Sequence, residues 1–356
     1  MPPLAGHLTL RLHRRPGATM RVEVMSSRPQ LADRLFPGKT PAEAAALAGR
    51  VFALCGQAQR LAATAACVAA GPNPLSWASI EQGDQEVTAF SSLQQAVLME
   101  TALEHAWRLL VDEPAQAGLP ADMDRLRVLR QAAIAGPLAL ADALDAVFAQ
   151  MPALLDALPS LTEAGWAQVE GNCAEDWAAP LLPPVSSIDP AEAAALAWRA
   201  MEEPAFCARP LWRNQPAETG ALGRQQDHPL LAGQLNPQGR RMKARWLARR
   251  LELTEMPVRL RQEPTAMLLA QPLAENCGYA WVETARGALL HVVHLEQGRV
   301  AAYRIIAPTE WNFHPAGPFT AGVNALGDLP DGVAAVQALA RSLDPCVSYQ
   351  VEVVDA

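Results

Sequence analysis

The chain has 356 residues, 50% of them apolar and 19% charged, the composition of a folded globular protein with a substantial core. A net charge of −8 with no block of basic residues excludes a nucleic-acid backbone as partner. No run approaches the ~18 consecutive apolar residues of a membrane span, so no membrane partner is expected.

From the N-terminus, residues 6–12 alternate and predict a strand, with Leu8, Leu10 and Leu12 on one face and His7, Thr9 and Arg11 on the other. Residues 20–25 are its expected hairpin partner across Pro16-Gly17. The Arg14-Arg15 pair is followed by Pro16-Gly17 where an export signal needs an apolar run, so a cytoplasmic location is expected. Thr40-Pro41-Ala42-Glu43 combines a capping hydroxyl, proline at the first helical position and a capping-box glutamate. The helical region it opens is predicted to run past Cys55 to about residue 70, where Gly71-Pro72 stops it. A second helix is predicted from a cap at Ser92, burying Ala96, Met99, Leu103, Ala106 and Leu110.

Further helices are expected near 122–134, 137–150, 190–203, 239–252 and 331–342, with an irregular stretch at 204–238. The octet PAEAAALA occurs at 41–48 and 190–197, but the flanks diverge at once, which gives two similar helix starts rather than a repeat. Residues 279–283, 288–296 and 300–307 read as strands, with Gln297-Gly298 as a tight turn. The fold class is therefore α+β: a mainly helical body with small β elements near both termini. Six scattered cysteines, at 55, 67, 173, 207, 277 and 346, form no CxxC pair, and in a reducing compartment they are thiols. Taken singly, each reads as a small buried hydrophobe.

Residues 281–315 read WVETARGALLHVVHLEQGRVAAYRIIAPTEWNFHP. This stretch resembles the part of nickel–iron hydrogenase large subunits that runs EAPRG, strand, turn, strand, VPTTWN. Ala5-Gly6-His7-Leu8 is similar to the family's EGHLR motif, and Leu54-Cys55-Gly56 to the start of ICGVC. The run from Glu218 to Arg224 is similar to EVGPLAR, and Arg341-Ser342-Leu343-Asp344-Pro345-Cys346 to the RSFDPC that opens DPCxxC. The resemblance spans nearly the whole chain. It implies one large-subunit-like domain over 1–356, with an N-terminal hairpin in 1–30, a mainly helical 40–252, and a β-rich 278–356 that ends in a helix and the cysteine motif.

Departures from the family pattern carry equal weight. Ala58 and Tyr349 stand where the second cysteine of each motif belongs, leaving two of the four thiolates that hold nickel and iron. Ala5 replaces a glutamate that the family links to proton transfer, and Glu352 replaces the terminal histidine. Only four residues follow Glu352, so the C-terminal cleavage of catalytic precursors is not expected. Hydrogen turnover is accordingly not expected, and neither an enzyme nor a nickel site is implied.

The resemblance does imply the iron half of the site. Cys55 and Cys346 are its expected thiolate ligands, and Arg286 and Thr309 its expected hydrogen-bond donors to two cyanides. Ala285 replaces the family's proline before the arginine. The implied cargo is an Fe(CN)2(CO) fragment without nickel. The implied role is that of hydrogenase accessory proteins of the HupK/HoxV type, a maturation scaffold that passes the fragment from iron-cofactor assembly proteins to the large-subunit precursor. The competing reading is a metal-free docking mimic of the large subunit. Cys67, Cys173, Cys207 and Cys277 are assigned to structure, and Glu218 to a polar network. His291, His294 and His314 make no metal set, because the first two fall on opposite faces of one strand.

Overall fold

A computed structural model describes residues 6–14, 20–27, 31–72, 85–116, 119–149, 179–232, 235, 241–262, 264, 267–326 and 332–355. Two sheets flank a helical body. The smaller consists of β1 (His7–Arg14), β2 (Arg21–Ser26) and, at the chain's other end, β7 (Ser348–Asp355). β1 lies in the middle, antiparallel to β2 and parallel to β7. The predicted alternation holds, since Leu8, Leu10 and Leu12 are buried together with Met20, Trp246 and Phe319. The predicted turn at Pro16-Gly17 and the expectation at Ala5 lie outside the described residues, as does Cys173.

The larger sheet is an antiparallel meander of β3 (Leu268–Ala274), β4 (Cys277–Thr284), β5 (Gly287–Glu296) and β6 (Arg299–Ile306). β4 is buried at every residue, because helices cover both of its faces. Ala280 and Val282 enter one core, while Tyr279 and Trp281 enter another. Gln297 and Gly298 both adopt positive φ, as the two-residue turn between β5 and β6 demands. β3 was not predicted, and the last strand was read only as a Val-rich end. Both lie at sheet edges, where the apolar alternation is weak.

The long helices are α1 (Pro41–Val51), α2 (Gly56–Ala69), α3 (Gln85–Trp107), α4 (Met123–Ala135), α5 (Pro137–Phe148), α6 (Pro190–Glu202), α7 (Arg241–Leu260), α8 (Pro318–Ala325) and α9 (Gly332–Leu343). The capping box at Thr40 forms as predicted, Thr40 Oγ1 accepting from Glu43 N and Glu43 Oε2 from Thr40 N. The two PAEAAALA copies both start helices with proline in the first turn, and both bury the same small residues, Ala44 and Ala48 in α1, Ala193 and Ala197 in α6.

Two helix expectations are corrected. The region after Thr40 is not continuous: Phe52 leaves helical geometry and a short 3₁₀ turn (Ala53–Cys55) separates α1 from α2. α3 begins at Gln85, so Ser92 lies inside it rather than at its cap. Its buried stripe is Phe90, Gln94, Val97, Leu98, Thr101, Ala102, His105 and Ala106; of the predicted face, Ala106 and Leu110 are buried and Ala96, Met99 and Leu103 half-buried. Apolarity alone placed only part of that face, because it includes His105, whose Nε2 lies 2.8 Å from Glu252 Oε2. The stretch 204–238 contains short helical turns and a small bridge from Trp212 to Gln215, so it is less irregular than expected.

Helix α2 lies directly against β4. A Cβ on Gly278 would come within 2.4 Å of Ala70 N and 2.5 Å of Ala69 C, both backbone atoms that cannot step aside. We expect Gly278→Ala to destabilise the chain by about 1–3 kcal/mol, the usual scale of core overpacking. A lowered urea midpoint with an unchanged slope checks this.

Candidate functional site

Cys55 stands at the corner where α1 gives way to α2. Its backbone (φ −139°, ψ 39°) is the N-cap of α2. The corner is tight, since a Cβ on the next residue, Gly56, would lie 2.6 Å from Gly49 O. The free amides at the start of α2 are satisfied from α3: Glu100 accepts from Gln57 N at 2.8 Å and from Ala58 N at 3.3 Å. Ala58 itself is fully buried in the core.

Cys346 is delivered by the end of α9. Asp344 takes a left-handed conformation (φ 51°) and its N–H returns to Ala340 O and Arg341 O, closing the helix. Pro345 then forbids continuation, and Cys346 follows just before β7. The short helix Pro308–Asn312 meets it there. Cys346 N donates to Thr309 Oγ1 at 3.1 Å, and the Thr309 hydroxyl lies 3.0 Å from Cys346 Sγ. Asn312 fixes the same corner by donating to Leu343 O and Thr219 O. From α7, Arg245 and Arg249 donate to Ser342 Oγ and Ser342 O.

Arg286 occupies the two-residue turn between β4 and β5, where Thr284 pairs with Gly287. Glycine is required at 287: its φ is +122°, and a Cβ there would lie 2.4 Å from Thr219 Oγ1. The guanidinium is buried. Its Nη2 donates to Glu104 Oε2 at 2.7 Å and its Nε to Asp344 Oδ1 at 3.3 Å, while Nη1 is buried with no partner among the described residues. Arg108, in a π turn (Arg108–Asp112) that follows α3, also reaches Asp344 Oδ1, at 2.5 Å, and pairs with Asp112.

The sequence-predicted residues therefore converge. The thiols of Cys55 and Cys346, both half-buried, are close enough for each charge to oppose the other, and Arg286 is near enough to favour thiolate at Cys55. Burial is the larger effect, and with Cys346 and Glu100 it pushes the Cys55 thiol up to about 12. Arg286 is held protonated: burial opposes its charge, but Asp344, Glu104 and the two thiols more than offset that. Asp344 is held below the usual carboxylate range, its burial outweighed by Arg286, Arg108 and Arg249. Among the described residues, no group of three or more His, Cys, Asp or Glu side chains is placed to hold a metal.

Other assignments settle into structure. Cys67, Cys207 and Cys277 are buried. Glu218 pairs with Arg245 at 2.8 Å. His291 faces Gln59 and Tyr303 rather than a second histidine. Glu352 pairs with Arg11 on the outer sheet, and Tyr349 packs beside the β1 and α9 core. Sequence reasoning missed Gln59, Glu100, Glu104 and Arg108. Glu100 and Glu104 on α3 and Arg108 in the π turn after it recur at steps of four, a polar ladder along one side.

Burial raises Glu100 to about 7, against 4.5 for an ordinary glutamate. A raised pKa means the stability it contributes is complete below pH 4.5 and is lost as pH rises through about 7. Metal-free protein should therefore lose melting temperature across that window, and Glu100→Gln should flatten the profile when the two are scanned side by side.

The profile of the family described as "Nickel-dependent hydrogenase" matches residues 240–351. The chain is 34% identical over 368 residues to the hydrogenase expression/formation protein HupK of Rhizobium leguminosarum bv. viciae, covering 94% of this chain and 93% of the other. It is 31% identical to the hydrogenase expression/formation protein HoxV of Cupriavidus necator, over 98% and 96%. Among solved structures it is similar to the Ni-Fe-Se hydrogenase from D. vulgaris Hildenborough in the reduced state, with a TM-score of 0.66, 13% identity, and coverage of 93% and 94%. That last likeness is one of fold.

Proposed function

The chain belongs to the HupK/HoxV family of hydrogenase expression/formation proteins, and on that premise we propose that it is a maturation scaffold for an Fe(CN)2(CO) fragment. It receives this cargo from iron-cofactor assembly proteins and yields it to the large-subunit precursor of a nickel–iron hydrogenase. The observation that carries the reading is the Nη1 of Arg286, buried near two free thiols and without a partner among the described residues. A buried guanidinium N–H without an acceptor is costly, and a cyanide nitrogen is an acceptor of the right kind.

The donor set fits an iron that arrives with most of its ligands. Two thiols are too few to build a metal site from protein alone, but they suffice to anchor an ion already carrying two cyanides and a carbonyl. Cys55 and Cys346 would be the anchors. Arg286 would donate to one cyanide and the Thr309 hydroxyl to the other. Nickel has no thiolates left to hold it.

The same electrostatics suit release. Cys346 and Glu100 both oppose a charge on Cys55, so that thiol loses its proton most readily in exchange for a cation. Burial keeps the proton on Cys55 favoured up to about 12, and a thiol that prefers its proton competes with the metal it holds. The residues thus bind, orient and let go, and perform no turnover.

The test is the infrared spectrum of protein purified from cells that make the iron fragment, with metal analysis alongside. Cyanide and carbonyl bands are expected with iron and without nickel. Cys55→Ala or Cys346→Ala should abolish them, and Arg286→Leu should reduce iron content at least about tenfold, the scale of a lost outer-shell partner. Iron-free, bandless protein that still co-purifies with assembly proteins would sink the cradle and leave a docking mimic of the large subunit.

A further inference from the structure

Gln59 sits one helical turn after Cys55 on α2, is 1% exposed, and places its Nε2 3.7 Å from Cys55 Sγ. Its Oε1 is 2.9 Å from His291 Nε2, and His291 Nδ1 is 2.7 Å from the Tyr303 hydroxyl. His291 and Tyr303 are both fully buried, and the Tyr303 ring is stacked on Phe36 at 4.1 Å. The line Tyr303–His291–Gln59–Cys55 thus joins β6, β5 and α2 and ends at the sulfur.

Its protons can be arranged in two ways. Burial lowers His291 to about 3, so the ring is neutral and carries one N–H. If Nδ1 carries it, the ring donates to the Tyr303 oxygen. The hydroxyl proton is then stranded, because His291 is the only hydrogen-bond partner of that hydroxyl among the described residues. In the other arrangement every group is used: Tyr303 O–H donates to Nδ1, and Nε2–H donates to Gln59 Oε1. The Gln59 amide is thereby fixed with its NH2 end toward the sulfur. A stranded buried donor carries its full desolvation cost, so the second arrangement prevails.

We propose that Gln59, its amide locked by His291 and Tyr303, is a positioning residue that presents an N–H to the sulfur of Cys55. This deepens the scaffold reading and rests on it for the sulfur's role as ligand. A donor on the sulfur stabilises negative charge there, whether the sulfur is free or bound. It also draws electron density from the sulfur and so from a bound iron, as outer-shell donors do.

Metal-free protein tests the relay first. Nitrogen NMR of the His291 ring should show Nε2 protonated and Nδ1 as acceptor. An Nδ1–H or doubly protonated ring overturns the proposal. Next, iodoacetamide labelling of each cysteine is followed by peptide mass spectrometry at one fixed pH. Cys55 should react about three- to tenfold more slowly in Gln59→Met and in Tyr303→Phe, the range of one lost hydrogen bond. An unchanged Cys55 rate in both variants overturns the proposal. Buried Cys67, Cys207 and Cys277 report any unfolding, and Tyr303→Phe removes a single atom, so the shape is kept. In iron-loaded protein, loss of the donor should move the carbonyl and cyanide bands to lower wavenumber. The wild-type tautomer without any such bands would leave the relay standing and fell the scaffold reading, whereas bands with the wrong tautomer would do the reverse.

Discussion

The carboxylate of Asp344 holds the architecture of the site together. It accepts from Arg286 in the β4–β5 turn and from Arg108 at the end of α3, and it belongs to the loop that carries Cys346. Three segments far apart in sequence are thus registered by one buried anion, with Arg249 adding to its stabilisation from α7. Removing one partner from such a cluster leaves an uncompensated buried charge, a loss of about 3–5 kcal/mol. The left-handed backbone at residue 344 serves the same end, because it ends α9 where the carboxylate can meet both guanidiniums.

Around that anchor the charges are matched unevenly. Among the described residues Arg286 has two acidic partners and one donor left over, and the Glu100 oxygens accept from backbone amides beside Cys55. Cys55 itself receives little encouragement to ionise. Catalytic thiol sites commonly use a helix N-terminus to lower the thiol's pKa. Here Cys55 sits at such a terminus, but Glu100 caps it and cancels the advantage. The site is therefore well braced in its walls and reluctant to ionise at Cys55.

Much of this was legible in the sequence, for reasons specific to the residues. Arg286-Gly287 sits in a tight turn, Pro308-Thr309 opens a short helix and Asp344-Pro345-Cys346 ends one, so each carries a local backbone signal that a sequence displays. The capping box at Thr40 and the turn at Gln297-Gly298 are local, and local signals carried. What failed was tertiary. A sequence shows that Gln94, Thr101 and His105 are polar, but not that a partner such as Glu252 waits inside the core. The break at Phe52 was hidden because the residues around it are acceptable to a helix, and only the crossing of Gly49 with Gly56 makes the corner necessary. Glu100 and Glu104 were visible as a ladder, yet nothing local said which way it faces.

The parallel pairing of β1 with β7 carries a temporal implication. His7 is in register with Ser348, a contact between residues more than three hundred positions apart, and Cys346 lies immediately before that strand. Contacts of such separation form late, after the intervening chain has been ordered. The second thiol is thus set in place by one of the last events of folding, when β7 pairs with β1. A chain lacking β7 would accordingly keep Cys55 in place and leave Cys346 without the strand that follows it.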